Sequence, residues 1–266
     1  MASLAGVRQR LKILVSALVA PSEKLPVPIE DSTYYDSVRI SGVESSLPVA
    51  NANLFAVLGP GFSAGPSVRG DNSALKRFAF LCRQEGSNKD SCEADVGRLL
   101  YGIVRSLRAK VAIEVGVYKG AASCHIAQGL MDNGGDYDYH LVDISQENLD
   151  ATKVHLRQFS LERFTTFHRA DGARLAADGG LPKADFVFLD ADHSMKAIGN
   201  DIRGFWPLLN ETGLLVLHDS VLWNGVRARV NCLARSLPEC VITLATSGGS
   251  GVSIVRKGSR DCPALD

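Results

Sequence analysis

The chain has 266 residues, of which 45% are apolar, 22% charged and 7% aromatic, the size and texture of one globular domain with or without an appendage. Twenty-nine basic residues balance twenty-nine acidic ones, so no net field steers the protein toward nucleic acid or an anionic membrane. No apolar run approaches the roughly 20 residues of a membrane span, and no low-complexity tract suggests disorder.

The N-terminus carries Arg8, Arg10 and Lys12 ahead of the apolar stretch ILVSALVA at 13–20. This is a short version of a signal peptide, but Pro21 stands where cleavage would leave it first, and an amphipathic capping helix is the favoured reading. Prolines and a glycine-rich stretch at 59–70 punctuate residues 21–75, with short strands expected near 33–40. Residues 1–92 therefore read as a loop-rich appendage, a lid or a dimer contact. The six cysteines, at 82, 92, 124, 232, 240 and 262, show no C-x-x-C pair and no zinc spacing, which favours reduced thiols in a cytoplasmic protein.

From about residue 95 short apolar runs alternate with amphipathic segments of helical length, the pattern of a parallel α/β sheet. Helices are expected at 93–108, 120–131, 146–159, 194–206 and 225–236. Strands are expected near 111–115, 139–144, 165–169, 185–190 and 213–218. Two closing strands, 240–246 and 251–257, are joined by the short turn SGGS and hence antiparallel. Residues 93–266 form the main domain, a doubly wound α/β sheet.

Ligands of such a sheet bind beyond the carboxyl ends of its strands, and four predicted tips carry acids: Glu114, Asp143, Asp190 and Asp219. At the first tip, IEVGVYKGAAS (113–123), Gly116 and Gly120 flank a tight turn in a G-x-x-x-G pattern that lacks the phosphate-cradling set G-x-G-x-x-G. That suits a ligand with a carboxylate for the helix amides and a cationic end for the acids, and it disfavours a dehydrogenase. Asp143, 27 residues after Gly116, can accept from both hydroxyls of a ribose. Ser145 is available as the helix cap in its place. Asp171 and Gly172, in RADGARL, offer a polar group to an adenine edge or form an ordinary β–α loop.

In motif order and spacing, about 95–257 resembles the class I S-adenosylmethionine-dependent methyltransferases, and EVGVYKG resembles the cofactor loop of the catechol and caffeoyl-CoA O-methyltransferases. The resemblance implies a Rossmann-like, seven-stranded sheet with its last strand antiparallel. It also implies a methionine end lined by Gly116, Tyr118 and Gly120 with Ser123 assisting and Glu114 just before them, a ribose held by Asp143, and an adenine near Asp171 and Gly172.

The last two tips read FVFLDADHS (186–194) and LLVLHDSVLWNG (214–225). Asp190, Asp192 and Asp219 in one crevice would repel, so some are protonated or a hard cation such as Mg²⁺ sits between them. These segments resemble those of metal-dependent O-methyltransferases, in which an acid after strand four and an Asp-Asn pair after strand five bind the ion. Asp190 and Asp219 match, and Ser220 stands where asparagine is expected, so His218 or Asp192 is an alternative third ligand. At the position of the lysine base of those enzymes stands His193, as in sugar O-methyltransferases of macrolide biosynthesis. Histidine accepts a proton near neutral pH without a large shift; alternatively His193 and Ser194 merely begin the next helix, with Asp192 or Ser194 as its cap. Trp223 and Asn224 form a pocket wall or pack, Trp206 belongs to the core, and Arg227 and Arg229 to a solvated face.

The expected protein is a methyltransferase acting on a hydroxyl of a small metabolite, a natural-product sugar or a phenol, with S-adenosyl-L-methionine, Mg²⁺ or a similar ion, and a homodimeric or larger assembly. The alternatives are a metal-independent N- or O-methyltransferase and a cofactor-binding module without catalysis.

Overall fold

The computed structural model describes residues 40–42, 73–83, 88, 90–237, 239–246, 249–258 and 261–265. The apolar stretch 13–20, the glycine-rich 59–70 and most of 33–40 lie outside the described residues.

The elements run β1 (Ile40–Gly42), α1 (Ser73–Lys76), α2 (Ala94–Leu107), β2 (Val111–Val115), α3 (Ala121–Asp132), β3 (Asp138–Asp143), α4 (Gln146–Gln158), β4 (Thr165–Arg169) and α5 (Gly172–Ala177). They continue with β5 (Ala184–Leu189), α6 (Met195–Phe205), a 3₁₀ turn (Trp206–Leu208), β6 (Leu209–His218), α7 (Asn224–Ser236), β7 (Val241–Ala245) and β8 (Val252–Arg256). Each expected strand and helix of the main domain is present, with ends shifted by a residue or two except that β6 begins four residues early. Four short elements are additional: α1, the 3₁₀ turn, α5 and β1. The six-residue α5 starts where Asp171 caps it, accepting from the Arg174 amide at 2.9 Å. The three-residue β1 extends a seven-stranded sheet by pairing parallel with β7.

Strand order is β1-β7-β8-β6-β5-β2-β3-β4, with β8 antiparallel to both of its neighbours and every other pairing parallel. The chain builds outward from β2 to β4, then returns to lay β5 and β6 on the other side of β2. The direction of winding thus reverses between β2 and β5, where a doubly wound sheet opens a crevice.

Alternation along the strands loads both faces. In β5, Phe186 and Phe188 join the core beneath α2 and α3, while Val187 and Leu189 join the core beneath α6 and α7. Val96, Leu99, Leu100, Ile103 and Val104 bury one stripe of α2. Leu75, Phe78, Leu81, Cys82 and Cys92, which the sequence assigns to the appendage, lie in this same first core. No helix among the described residues is long and apolar enough to cross a membrane.

The same alternation turns Glu114 away from the crevice. Fully buried on the α3 face, it accepts from the Ser123 hydroxyl at 2.9 Å and from the Tyr139 hydroxyl. Glu114 and Ser123, expected at the cofactor, thus bond each other behind the turn. Burial pushes the Glu114 carboxyl up to about 8 from an ordinary 4.5. Between those values the unfolded chain has released a proton that the fold retains, so this contribution to stability is complete in acid and is lost as pH rises from about 4.5 to 8. The slope reaches about 1.4 kcal/mol per pH unit. Glu114→Gln, which cannot titrate, is expected to flatten it. Denaturation midpoints of both proteins across pH 5–8 measure the difference, and parallel curves would contradict a neutral Glu114.

Candidate active site

A cavity of about 540 Å³ opens at the carboxyl ends of β2 to β6. Of the residues expected at a site, Gly116, Tyr118, Asp143, Asp171, Gly172, Asp190, His193 and Asp219 line it; Glu114, Gly120, Ser123 and Ser220 do not. The sheet order sets the sequence of groups along the crevice: Asp171 after β4, Asp143 at the tip of β3, Gly116 after β2, Asp190 after β5 and Asp219 after β6.

At the β3 end, Asp143 is held by its own loop and by the loop after β2. Its Oδ2 accepts from the Val117 amide at 3.0 Å, and its Oδ1 accepts from the Ser145 amide at 2.8 Å, with the Asn148 side-chain amide donating to both oxygens. Ser145 caps α4, accepting from the Asn148 amide at 3.2 Å, so Asp143 is not the cap. In the center, Gly116 has φ +87°, and a Cβ there would stand 2.2 Å from the Asp190 carbonyl oxygen. Only glycine allows this close passage of two backbones at the strand switch. Gly120, φ +81°, sits against Thr152 and shapes the turn without reaching the cavity.

At the other end, acids and imidazoles interleave. His218 Nδ1 donates to Asp190 Oδ1 at 3.1 Å, and His218 Nε2 donates to Glu93 Oε2 at 3.0 Å. His193 Nε2 lies 3.0 Å from Asp219 Oδ2 and 3.5 Å from Asp190 Oδ1, and its ring stacks on Trp223 with centroids 4.8 Å apart. Ser194 caps α6 through the Ala197 amide, as the capping alternative expects, Asp192 accepts from the Ser194 amide, and His193 stands just ahead of the cap.

Burial opposes each of these charges, and the neighbours overcome it. Burial works to raise Asp190, but His218 and His193 hold it at about 2. Burial works to lower His193, but Asp190 and Asp219 raise it to about 9. Asp190, Asp219 and Glu93 hold His218 well above the ordinary histidine value against complete burial. Glu93 stays at about 2 against burial because His218 and the Ser250 hydroxyl favour its charged form.

The donor atoms of Asp190, His193 and Asp219 lie within 4.8 Å of one another; the two hard carboxylates suit a divalent ion, and His193 Nε2 can either join them on it or stay free to take a proton, not both. Ser220, expected as a ligand, is fully buried and off the cavity. Asp219 takes a left-handed φ of +57°, and the chain then runs inward, where the Ser220 amide donates to the Gly251 carbonyl.

Three further groups escape the sequence analysis. Glu93 gives no signal, because it reads as a helix start and its partner lies 125 residues away. Arg83 lines the cavity from a segment without pattern. Asp201 did carry a signal, a charge inside the apolar stripe Ile198, Ile202 and Phe205 of α6. Burial, with Asp171 and Asp192 nearby, pushes it up to about 7.

The stretch 113–220 matches a family model described as a methyltransferase domain. A caffeoyl-CoA O-methyltransferase of Petunia hybrida is 27% identical over 158 residues, which are 57% of this chain and 62% of that enzyme. Another, from Eucalyptus globulus, is 27% identical over 157 residues, 57% and 61%. The match thus spans less than two thirds of these relatives. Among solved structures, a methyltransferase of Geobacter sulfurreducens superposes with a TM-score of 0.55 at 19% identity, covering 88% of this chain and 100% of that one. An O-methyltransferase of Streptomyces achromogenes involved in tomaymycin synthesis, solved with S-adenosylmethionine, gives 0.52 at 17%, covering 71% and 92%. With its strand order, its glycine turn at the switch point and these matches, the chain carries a methyltransferase domain over 113–220 and is similar to the caffeoyl-CoA O-methyltransferases.

Proposed function

We propose that the protein transfers a methyl group from S-adenosylmethionine to a hydroxyl of a small metabolite, a sugar or a phenol, with His193 as base and a divalent ion between Asp190 and Asp219. The observation that carries this reading is the convergence of His193, Asp190 and Asp219 in the crevice that Asp143 lines. Asp143, already oriented by two backbone amides, accepts from the ribose hydroxyls. The turn at Gly116 brings the methionine end alongside Asp190, whose negative charge favours the sulfonium. A divalent ion held by the two aspartates supplies Lewis-acid chemistry that lowers the pKa of the acceptor hydroxyl. The hydroxyl proton passes to His193 Nε2, the freed oxygen forms a bond to the methyl carbon, and the carbon–sulfur pair leaves on sulfur as S-adenosylhomocysteine. Alignment of the two reactants provides much of the rate. A homodimer and a cytosolic setting complete the proposal; six free thiols, five of them buried, agree with the latter.

A base must be neutral, yet without an ion Asp190 and Asp219 keep His193 protonated up to about 9. Activity is therefore expected to fall as pH drops through the His193 pKa, with the midpoint of a pH–rate curve lower in Mg²⁺ than in EDTA. A metal-independent methyltransferase has one observation in its favour, the two imidazoles that already face the acids. Full turnover after exhaustive chelation would select it.

Two substitutions separate binding from chemistry. Asp143→Ala is expected to weaken S-adenosylhomocysteine binding by about ten- to a hundredfold in calorimetry, the worth of one charge-assisted contact; unchanged affinity would remove Asp143 from the cofactor site. His193→Ala is expected to lower S-adenosylhomocysteine production from a screened acceptor by about 10²–10⁴-fold while leaving cofactor affinity intact. Undiminished production would exclude it as base.

A further inference from the structure

Glu93 sits at the N-cap of α2, yet its side chain makes no capping bond there. It is 4% exposed, and its contacts run inward to groups from three other parts of the chain. Oε2 accepts from His218 Nε2 at 3.0 Å. Oε1 accepts from the Ser250 hydroxyl and from Thr246 Oγ1 at 3.5 Å, and Arg83 Nη1 lies 3.4 Å away. Burying a carboxylate is costly unless each partner is in place, and a helix start needs no such group.

The partner that matters is His218, the last residue of β6. An imidazole turned over about its Cβ–Cγ bond exchanges each nitrogen for a carbon, so only one orientation satisfies acceptors on both sides. Glu93 takes Nε2, and that orientation presents Nδ1 to Asp190 Oδ1 at 3.1 Å. The same Asp190 oxygen is the one His193 Nε2 approaches at 3.5 Å. We infer that Glu93 is a positioning residue of the reacting end: it fixes the ring of His218, and through that ring the Asp190 carboxylate that faces His193. The inference rests on the methyl-transfer reading of this site.

The test compares crystals of the full chain with S-adenosylhomocysteine for the wild type, Glu93→Ala and Glu93→Gln, together with their kinetics. In Glu93→Ala the His218 ring is expected to turn, breaking the Nδ1 contact to Asp190. The kcat should fall about 10- to 100-fold, as when an outer partner of a site histidine is lost, with KM for S-adenosylmethionine changed less than about threefold. Glu93→Gln, whose amide oxygen still accepts from Nε2, should keep the ring in place and recover kcat to within about threefold of wild type. Where Glu93→Ala does not fold, Glu93→Asp draws the acceptor back by one methylene and should displace the ring likewise. An unmoved ring in the Ala or Asp variant, or a fall in kcat that Gln does not relieve, would overturn the inference. Failure of the wild type to bind S-adenosylhomocysteine would overturn the methyl-transfer reading instead, and ring positions in ligand-free crystals would still decide the role of Glu93.

Discussion

Carboxyl groups gathered at one edge of a sheet repel, and this crevice keeps them because imidazoles stand between them. Two unit charges 4 Å apart interact by about 4 kcal/mol at an effective dielectric near 20, enough to shift a pKa by units in either direction. Three acids of the same fold show the contrast. Asp190, facing two histidines, is held at about 2. Glu114, with only hydroxyls for partners, is pushed up to about 8, and Asp201, with Asp171 and Asp192 for neighbours, to about 7. Burial acts in the same direction on all three; what differs is a cation within reach.

The backbone brings these groups together before any side chain acts. At the strand switch the Gly116 turn passes so close to the Asp190 carbonyl that a methyl group could not stand between them. The Gly116 amide donates to Val142 and the Asp190 amide to Val115, so the tips of β2, β3 and β5 are tied as one piece. The nucleoside side and the reacting side of the crevice are therefore set at a fixed offset by main-chain bonds. Side chains such as Asp143, bonded to amides of the same loops, inherit that rigidity.

How much of this was legible follows from the range of the interactions. The sheet was readable because period-two runs, glycine turns and short connections are local, and the acids at strand tips were readable because topology alone puts strand tips in one crevice. Six-residue α5 was missed because its signal is one capping aspartate, which looks the same in a loop. Glu114 was placed at the cofactor because it adjoins the glycine turn, although the alternation visible in VAIEV would have sent it to the opposite face from Val115. Ser220 is expected as a ligand on sequence order alone, and after the left-handed Asp219 the chain carries it into the interior, away from the cavity. Glu93 gives no local signal, since its partners His218 and Ser250 lie 125 and 157 residues away.

The two histidines of this end of the crevice share neighbours but differ in how they are held, and their proposed roles follow that difference. His218 is 4% exposed and satisfied at both nitrogens, so giving up a proton would strand one carboxylate and leave one ring nitrogen without a hydrogen to donate. His193 lines the cavity, and although Asp219 lies only 3.0 Å from its Nε2, the contact lacks the alignment of a hydrogen bond. Trp223 supports its ring by stacking, a contact that limits tilt while Nε2 faces the Asp190 and Asp219 carboxylates. In the proposed reaction, the ring locked at both ends supplies field and orientation, and the ring held by its face exchanges the proton. Position three residues after Asp190, on the cavity side of the α6 cap, gives that second kind of support to His193.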